Sequence, residues 1–73
     1  MNNRILYMAG EKYNSLIDMK NVTSIHYDKT LKCLYVNDDY VSSNKEQIDL
    51  LIEGWCGYHQ FDVEEIKKKL FGE

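Results

Sequence analysis

The chain has 73 residues, 44% hydrophobic and 12% aromatic, with no proline, two cysteines and a net charge of −3. A domain this small buries only about 60% of the surface its unfolded chain exposes, so a deep catalytic cleft is hard to carve from its core and binding through a surface is expected instead. The composition argues against disorder, and no apolar span approaches the roughly 20 residues of a membrane helix.

The charge is unevenly placed. Residues 1–37 carry five Lys or Arg against three acids, whereas residues 38–73 carry four against nine. The acidic half disfavours direct nucleic-acid binding and suits a basic protein partner. The apolar run Ile5–Ala9 is shorter than the roughly 7–15 residues of a signal-peptide core, so the chain is expected to be cytoplasmic, with Cys33 and Cys56 as thiols.

In chain order, Arg4–Ala9 reads as a strand with apolar residues on both faces, Ile5, Tyr7 and Ala9 on one and Leu6 and Met8 on the other. Gly10-Glu11-Lys12 is a turn. Tyr13–Met19 groups Tyr13, Ser15, Ile17 and Met19, and predicts a second strand paired with the first. After the polar break Lys20-Asn21, Val22–Tyr27 and Leu31–Val36 alternate as strands separated by Asp28-Lys29-Thr30, the clearest hairpin signal in the chain. Tyr40-Val41 predicts a short edge strand.

The segment from Ser43 to Tyr58 predicts the main helix. Ser43 and Glu46 have capping-box spacing, and Ile48, Leu51, Ile52 and Trp55 recur on one stripe. Gly57 is read as the stop. Asp62 then caps a second helix, with Glu65 three residues on and Phe61 placed to staple against Ile66. Lysines close it before Gly72, as the helix dipole favours. Strands first and helices after predict one small α+β domain over residues 1–73: an antiparallel β-meander of four or five strands, followed by two C-terminal helices packed on one face. Apolar residues on both faces of the first strand suggest that its second side is also covered, as in a homodimer.

His26, Cys33, Cys56 and His59 are the available soft ligands. A Cys2His2 zinc site needs all of them in one tetrahedron. The two pairs match no finger or ribbon spacing, so no metal or cofactor is expected, although a hairpin register with His26 opposite Cys33 is the arrangement that would favour one. Trp55-Cys56-Gly57 lacks the second cysteine of a redox pair. Cys56 also falls near a helix C-terminus, where the dipole disfavours a thiolate. No phosphate-cradling glycine loop, nucleophile elbow or metalloprotease helix is present, and no catalytic residue is assigned.

Two features point to a contact surface. On a wheel of 100° per residue, Glu46, Asp49, Leu50 and Glu53 fall within an arc of about 100° opposite the apolar stripe. A leucine bordered by carboxylates suits a partner with a basic rim. Beside it, Gly54–Phe61 interleaves aromatics with glycines at the corner between helices, with Trp55 and Phe61 expected inside, Tyr58, His59 and Gln60 at the surface, and Tyr58 as the anchor. The expected function is a non-enzymatic protein-binding module, a small bacterial or phage inhibitor or accessory protein docking Glu46, Asp49, Leu50, Glu53, Tyr58 and His59 onto a basic site. A nucleic-acid-handling host protein offers such a site, as in anti-defence or anti-CRISPR inhibition. The rivals are a homodimeric assembly subunit and a small Cys/His thiol or zinc protein.

Overall fold

A computed structural model describes residues 4–10 and 12–72; Glu11, in the first predicted turn, lies outside them. The order is β1 Ile5–Met8, β2 Ser15–Asp18, a 3-10 turn Met19–Asn21, β3 Ile25–Asp28, β4 Cys33–Val36, β5 Asp39–Ser42, α1 Lys45–His59 and α2 Val63–Phe71. The class is α+β with C-terminal helices, as the order of patterns predicts. The strands divide into two antiparallel sheets, β1–β2 and β3–β4–β5. The division falls where Asp18 caps the 3-10 turn by accepting from the Lys20 amide at 3.0 Å, a short-range bond that competes with strand continuation.

Alternation decides which face of each strand is buried. In the first hairpin Leu6 pairs with Ile17 and Met8 with Ser15, and this inner face packs on the core. Ile25 and Tyr27 face the core from β3, and Leu34 and Val36 from β4. The core closes around Met19, Leu34, Leu51, Ile52 and Cys56, each almost inaccessible to solvent. A β-bulge at the β4–β5 pairing leaves Val41 between the paired residues Tyr40 and Ser42.

Two amide side chains tie segments that are distant in sequence. Asn37 Oδ1 accepts from the Thr23 and Ser24 amides at 2.9 and 3.1 Å, and its Nδ2 donates to Asn21 O at 2.7 Å. Asn37 itself adopts φ 50°, the left-handed region that Asn tolerates better than most residues. On α1, Gln47 Nε2 donates to Ala9 O and its Oε1 accepts from the buried Ser42 hydroxyl at 2.7 Å.

Several boundaries differ from the sequence reading. The α1 cap is Asn44, whose Oδ1 accepts from the Glu46 and Gln47 amides at 2.9 and 3.2 Å; Ser43 makes no capping box, because Ser42 already accepts from the Asn44 amide at 2.9 Å and draws the turn one residue on. The helix runs through Gly57 to His59 and ends with Gln60 in the left-handed conformation, φ 62°. Gly57 stays helical because the Gln60 amide closes the helix onto Cys56 O. Strand β3 starts at Ile25 rather than Val22, since Thr23 and Ser24 bond Asn37 instead of a neighbouring strand. His26 pairs with Tyr35, and Cys33 with Asp28, so the hairpin does not set His26 opposite Cys33. The Asp62 cap is as predicted, accepting from the Glu65 amide at 3.2 Å.

Candidate functional site

Helix α1 buries Ile48, Leu51, Ile52 and Cys56, while Trp55 is half-buried. Leu50 remains 43% exposed, with Glu46 and Glu53 exposed on the same side. The four residues of the acidic arc do not share one environment. Asp49 is half-buried and held by Lys45 Nζ at 3.2 Å and Lys67 Nζ at 3.7 Å. Lys67, from α2, also bonds Glu53 Oε2 at 3.2 Å. Burial works against the Lys67 ammonium, but the Glu53 bond and the Asp49, Glu53 and Glu64 charges outweigh it and hold its pKa above the ordinary lysine range. Lys67 therefore fastens α2 to the acidic edge of α1, leaving Glu46 and Leu50 the more open of the set.

The aromatic corner is tied down. Trp55 Nε1 donates to Val22 O at 2.8 Å, and His59 Nε2 lies 3.3 Å from Met19 O, a hydrogen bond when that nitrogen carries the proton. Tyr58 and His59 are half-buried, their rings edge-on at 5.0 Å. Phe61, read as a staple toward Ile66, instead stacks on His59 at 5.8 Å and leans on Trp55 at 5.3 Å, 48% exposed. The long indole and imidazole reach back to the turn after β2, so the corner clamps that turn, and Phe61 rather than Tyr58 is its exposed aromatic.

Sequence periodicity underweighted a third surface. Ile5, Tyr7 and Leu16 are 51%, 55% and 74% exposed, and Tyr7 pairs with Leu16 across the β1–β2 ladder. They form the outer face of that hairpin. Arg4 and Asp18 stand beside it in a bidentate pair, with Nε–Oδ1 and Nη2–Oδ2 both at 2.8 Å. The doubly apolar β1 is the sequence signal for this face; on β2 the alternation groups Ser15 with Ile17, and Leu16 falls on the other side.

Cys56 is fully buried, and burial foremost pushes its thiol above the ordinary range, which disfavours the thiolate that nucleophilic chemistry needs. Cys33 is buried outside the main core cluster. Among the described residues no three His, Cys, Asp or Glu side chains gather as a metal site, and no helix is long and apolar enough to cross a membrane.

Two open clefts indent the surface. One, of about 490 Å³, lies between the sheets and is lined from β2 by Ser15 and Ile17 and from β5 by Tyr40, Val41 and Ser42. The other, of about 400 Å³, is lined by Tyr27, Phe71 and Ile48 with Lys29, Lys32 and Lys45. Lys45 is already paired with Asp49 and lies 5.6 Å from the Phe71 ring centroid. No protein-family model, curated protein or solved structure matches the chain.

Proposed function

We propose that the chain is a non-enzymatic protein-binding module of a reducing, cytoplasmic compartment, docking by the open face of α1 onto a basic site. The observation that carries this reading is Leu50, 43% exposed on the side of α1 that presents Glu46 and Glu53. An apolar centre with a carboxylate rim gains contact area from the leucine and orientation from the charges. Basic grooves of nucleic-acid-handling proteins have the complementary charge, and a small protein seated there excludes the nucleic acid, which is how an anti-defence or anti-CRISPR inhibitor would act. Lys67 and Lys45 temper the acidity of this face, so a partner competes with them for Asp49 and Glu53. The test is recovery of a partner from host lysate by wild type, Leu50→Lys and a Glu46→Lys/Glu53→Lys double variant. Selective loss by both variants supports the reading; equal recovery by all three ends it.

A second reading, a homodimeric assembly subunit, is favoured by Ile5, Tyr7 and Leu16 on one hairpin face. The neighbouring Arg4 and Asp18 neutralise each other, which suits a face that meets its own copy. Light scattering at low micromolar concentration decides it: a doubled mass that Leu16→Lys returns to monomer supports the dimer, and a monomeric wild type removes it.

A further inference from the structure

We propose that the cleft among the β3–β4 turn, the start of α1 and the end of α2 binds a nucleoside polyphosphate, its phosphates on three lysines and its base against aromatic rings. The cleft measures about 400 Å³ and takes Lys29 and Lys32 from the turn and Lys45 from α1, with no carboxylate among its described lining residues. Its volume lies within the range of about 300–1,000 Å³ typical of small-molecule sites. Three ammoniums around one concavity focus positive potential on it. A chain of phosphates carries the several negative charges that match them, which a single carboxylate does not.

The turn delivers two of the lysines by its own hydrogen bonds. The Lys32 amide donates to Asp28 O at 2.7 Å, and Asp28 Oδ1 accepts from the Thr30 and Leu31 amides, both at 2.9 Å. The acid of the turn is thus engaged with its own backbone. Among the described residues neither Lys29 nor Lys32 has a carboxylate partner. Lys32 is held at φ 54°, where glycine would sit at less cost. Lys29 lies against the C-cap of α2, where a Cβ added to Gly72 would meet its Nζ at 2.9 Å.

Lys45 opens α1, where the helix dipole adds to the positive potential. It pairs with Asp49 at 3.2 Å, but Lys67 stands 3.7 Å from the same carboxylate. Asp49 therefore keeps a partner when Lys45 turns to a ligand. The phosphates are held by side chains, so no glycine loop is required.

The rest of the lining suits a base. Tyr27 and Phe71 meet edge-on at 4.7 Å, and Ile48 adds apolar surface. Lys45 Nζ now lies over the Phe71 ring, 5.6 Å from its centroid. A base seated there exchanges that cation–π contact for ring stacking, while the ammonium moves to phosphate. Inorganic phosphate would leave this wall unused. The cleft shares no residue with the Glu46, Leu50 and Glu53 face and stands or falls separately from it.

The test is a titration of the ¹⁵N-labelled full chain at fixed ionic strength, followed by amide NMR shifts, with ATP, tripolyphosphate and adenosine as probes. ATP is expected to give saturable shifts across residues 29–32 and 43–45 and at Phe71. Tripolyphosphate should bind about tenfold more weakly for want of the stacked base, and adenosine should not saturate. Lys29→Gln and Lys32→Gly should each weaken ATP binding about tenfold, the loss of one charge-assisted bond. Because glycine suits the left-handed turn position, Lys32→Gly removes the charge and keeps the fold. The inference is overturned if millimolar ATP moves none of these amides, if both variants bind ATP as wild type does, or if sodium sulfate at the same ionic strength moves them equally. Equal binding of tripolyphosphate and ATP overturns the nucleoside.

Discussion

The two sheets of this protein obey the same alternation yet end in different surroundings. In β3–β4–β5 the inward residues Leu34, Val36 and Ser42 are buried against α1, and on the opposite face Tyr35 and Tyr40 meet edge-on at 6.0 Å while Cys33 is buried. In β1–β2 the inward face packs on the same core, but Ile5, Tyr7 and Leu16 stay on the outside. Alternation builds a strand pair; the elements that pack against it determine which side remains wet. The lone hairpin keeps Ile5, Tyr7 and Leu16 together on its outer face.

Core truncation draws this contrast most sharply. Leu51→Ala or Leu34→Ala removes a fully buried side chain and should cost about 2–5 kcal/mol, enough to unfold most of a domain this small. Leu16→Ala, on the exposed hairpin face, should stay within about 0.5 kcal/mol of wild type. Urea denaturation of the variants checks both, and a large loss at Leu16 would show that the face is covered in solution.

Next in size is the clasp that Asn37 makes on the segment leading into β3. Asn37→Ala leaves the Thr23 and Ser24 amides without their acceptor and places alanine at a left-handed φ, for a loss of about 1–3 kcal/mol. Hydrogen exchange should quicken at Thr23 and Ser24 before it does in the β3–β4 ladder. Uniform exchange throughout would deny that Asn37 holds this segment separately from the ladder.

The ends of α1 give smaller effects. Asn44→Ala should lose about 1 kcal/mol by removing the cap, with Ser43→Ala much less affected. Gly57→Ala should gain about 0.5–1 kcal/mol, since the helix continues through this position and an added Cβ meets nothing within 4 Å. Thermal melts order the three variants, and a destabilised Gly57→Ala would restore that glycine as a helix stop.

The smallest effect concerns the rim of the hairpin. Hydrogen bonding from Arg4 holds the Asp18 carboxyl below its usual range. A depressed folded-state pKa contributes stability above the ordinary aspartate range, near about 4, and that contribution fades as pH falls through the folded value. Asp18→Asn should therefore lower stability slightly at neutral pH and flatten its decline in acid. Parallel acid titrations followed by circular dichroism would show the two curves converging at low pH; curves that stay parallel would remove Asp18 from the acid response.

Much of this architecture was legible in the residues because its signals are local. Alternation located β2, β3 and β4, the stripe Ile48, Leu51 and Ile52 located the core face of α1, and Asp62 located the second cap. What was not legible depends on contacts between distant segments. Asn37 reaching back to Asn21 shortened β3, Ser42 and Gln47 moved the α1 cap to Asn44, and Lys67 arriving from α2 took up Asp49 and Glu53. The division into two sheets falls at a 3-10 turn capped by a carboxylate, which no periodicity signals. The exposure of Leu50 was legible from its place opposite the stripe, whereas that of Leu16 was not, since the alternation of β2 singled out the opposite face.

The most direct test of the binding-module reading combines thermal unfolding with partner recovery for Leu50→Lys. The account predicts a melting temperature close to wild type together with loss of the partner that wild type retains. A folded variant that recovers the same partner in equal amount, or one that no longer folds, would contradict it.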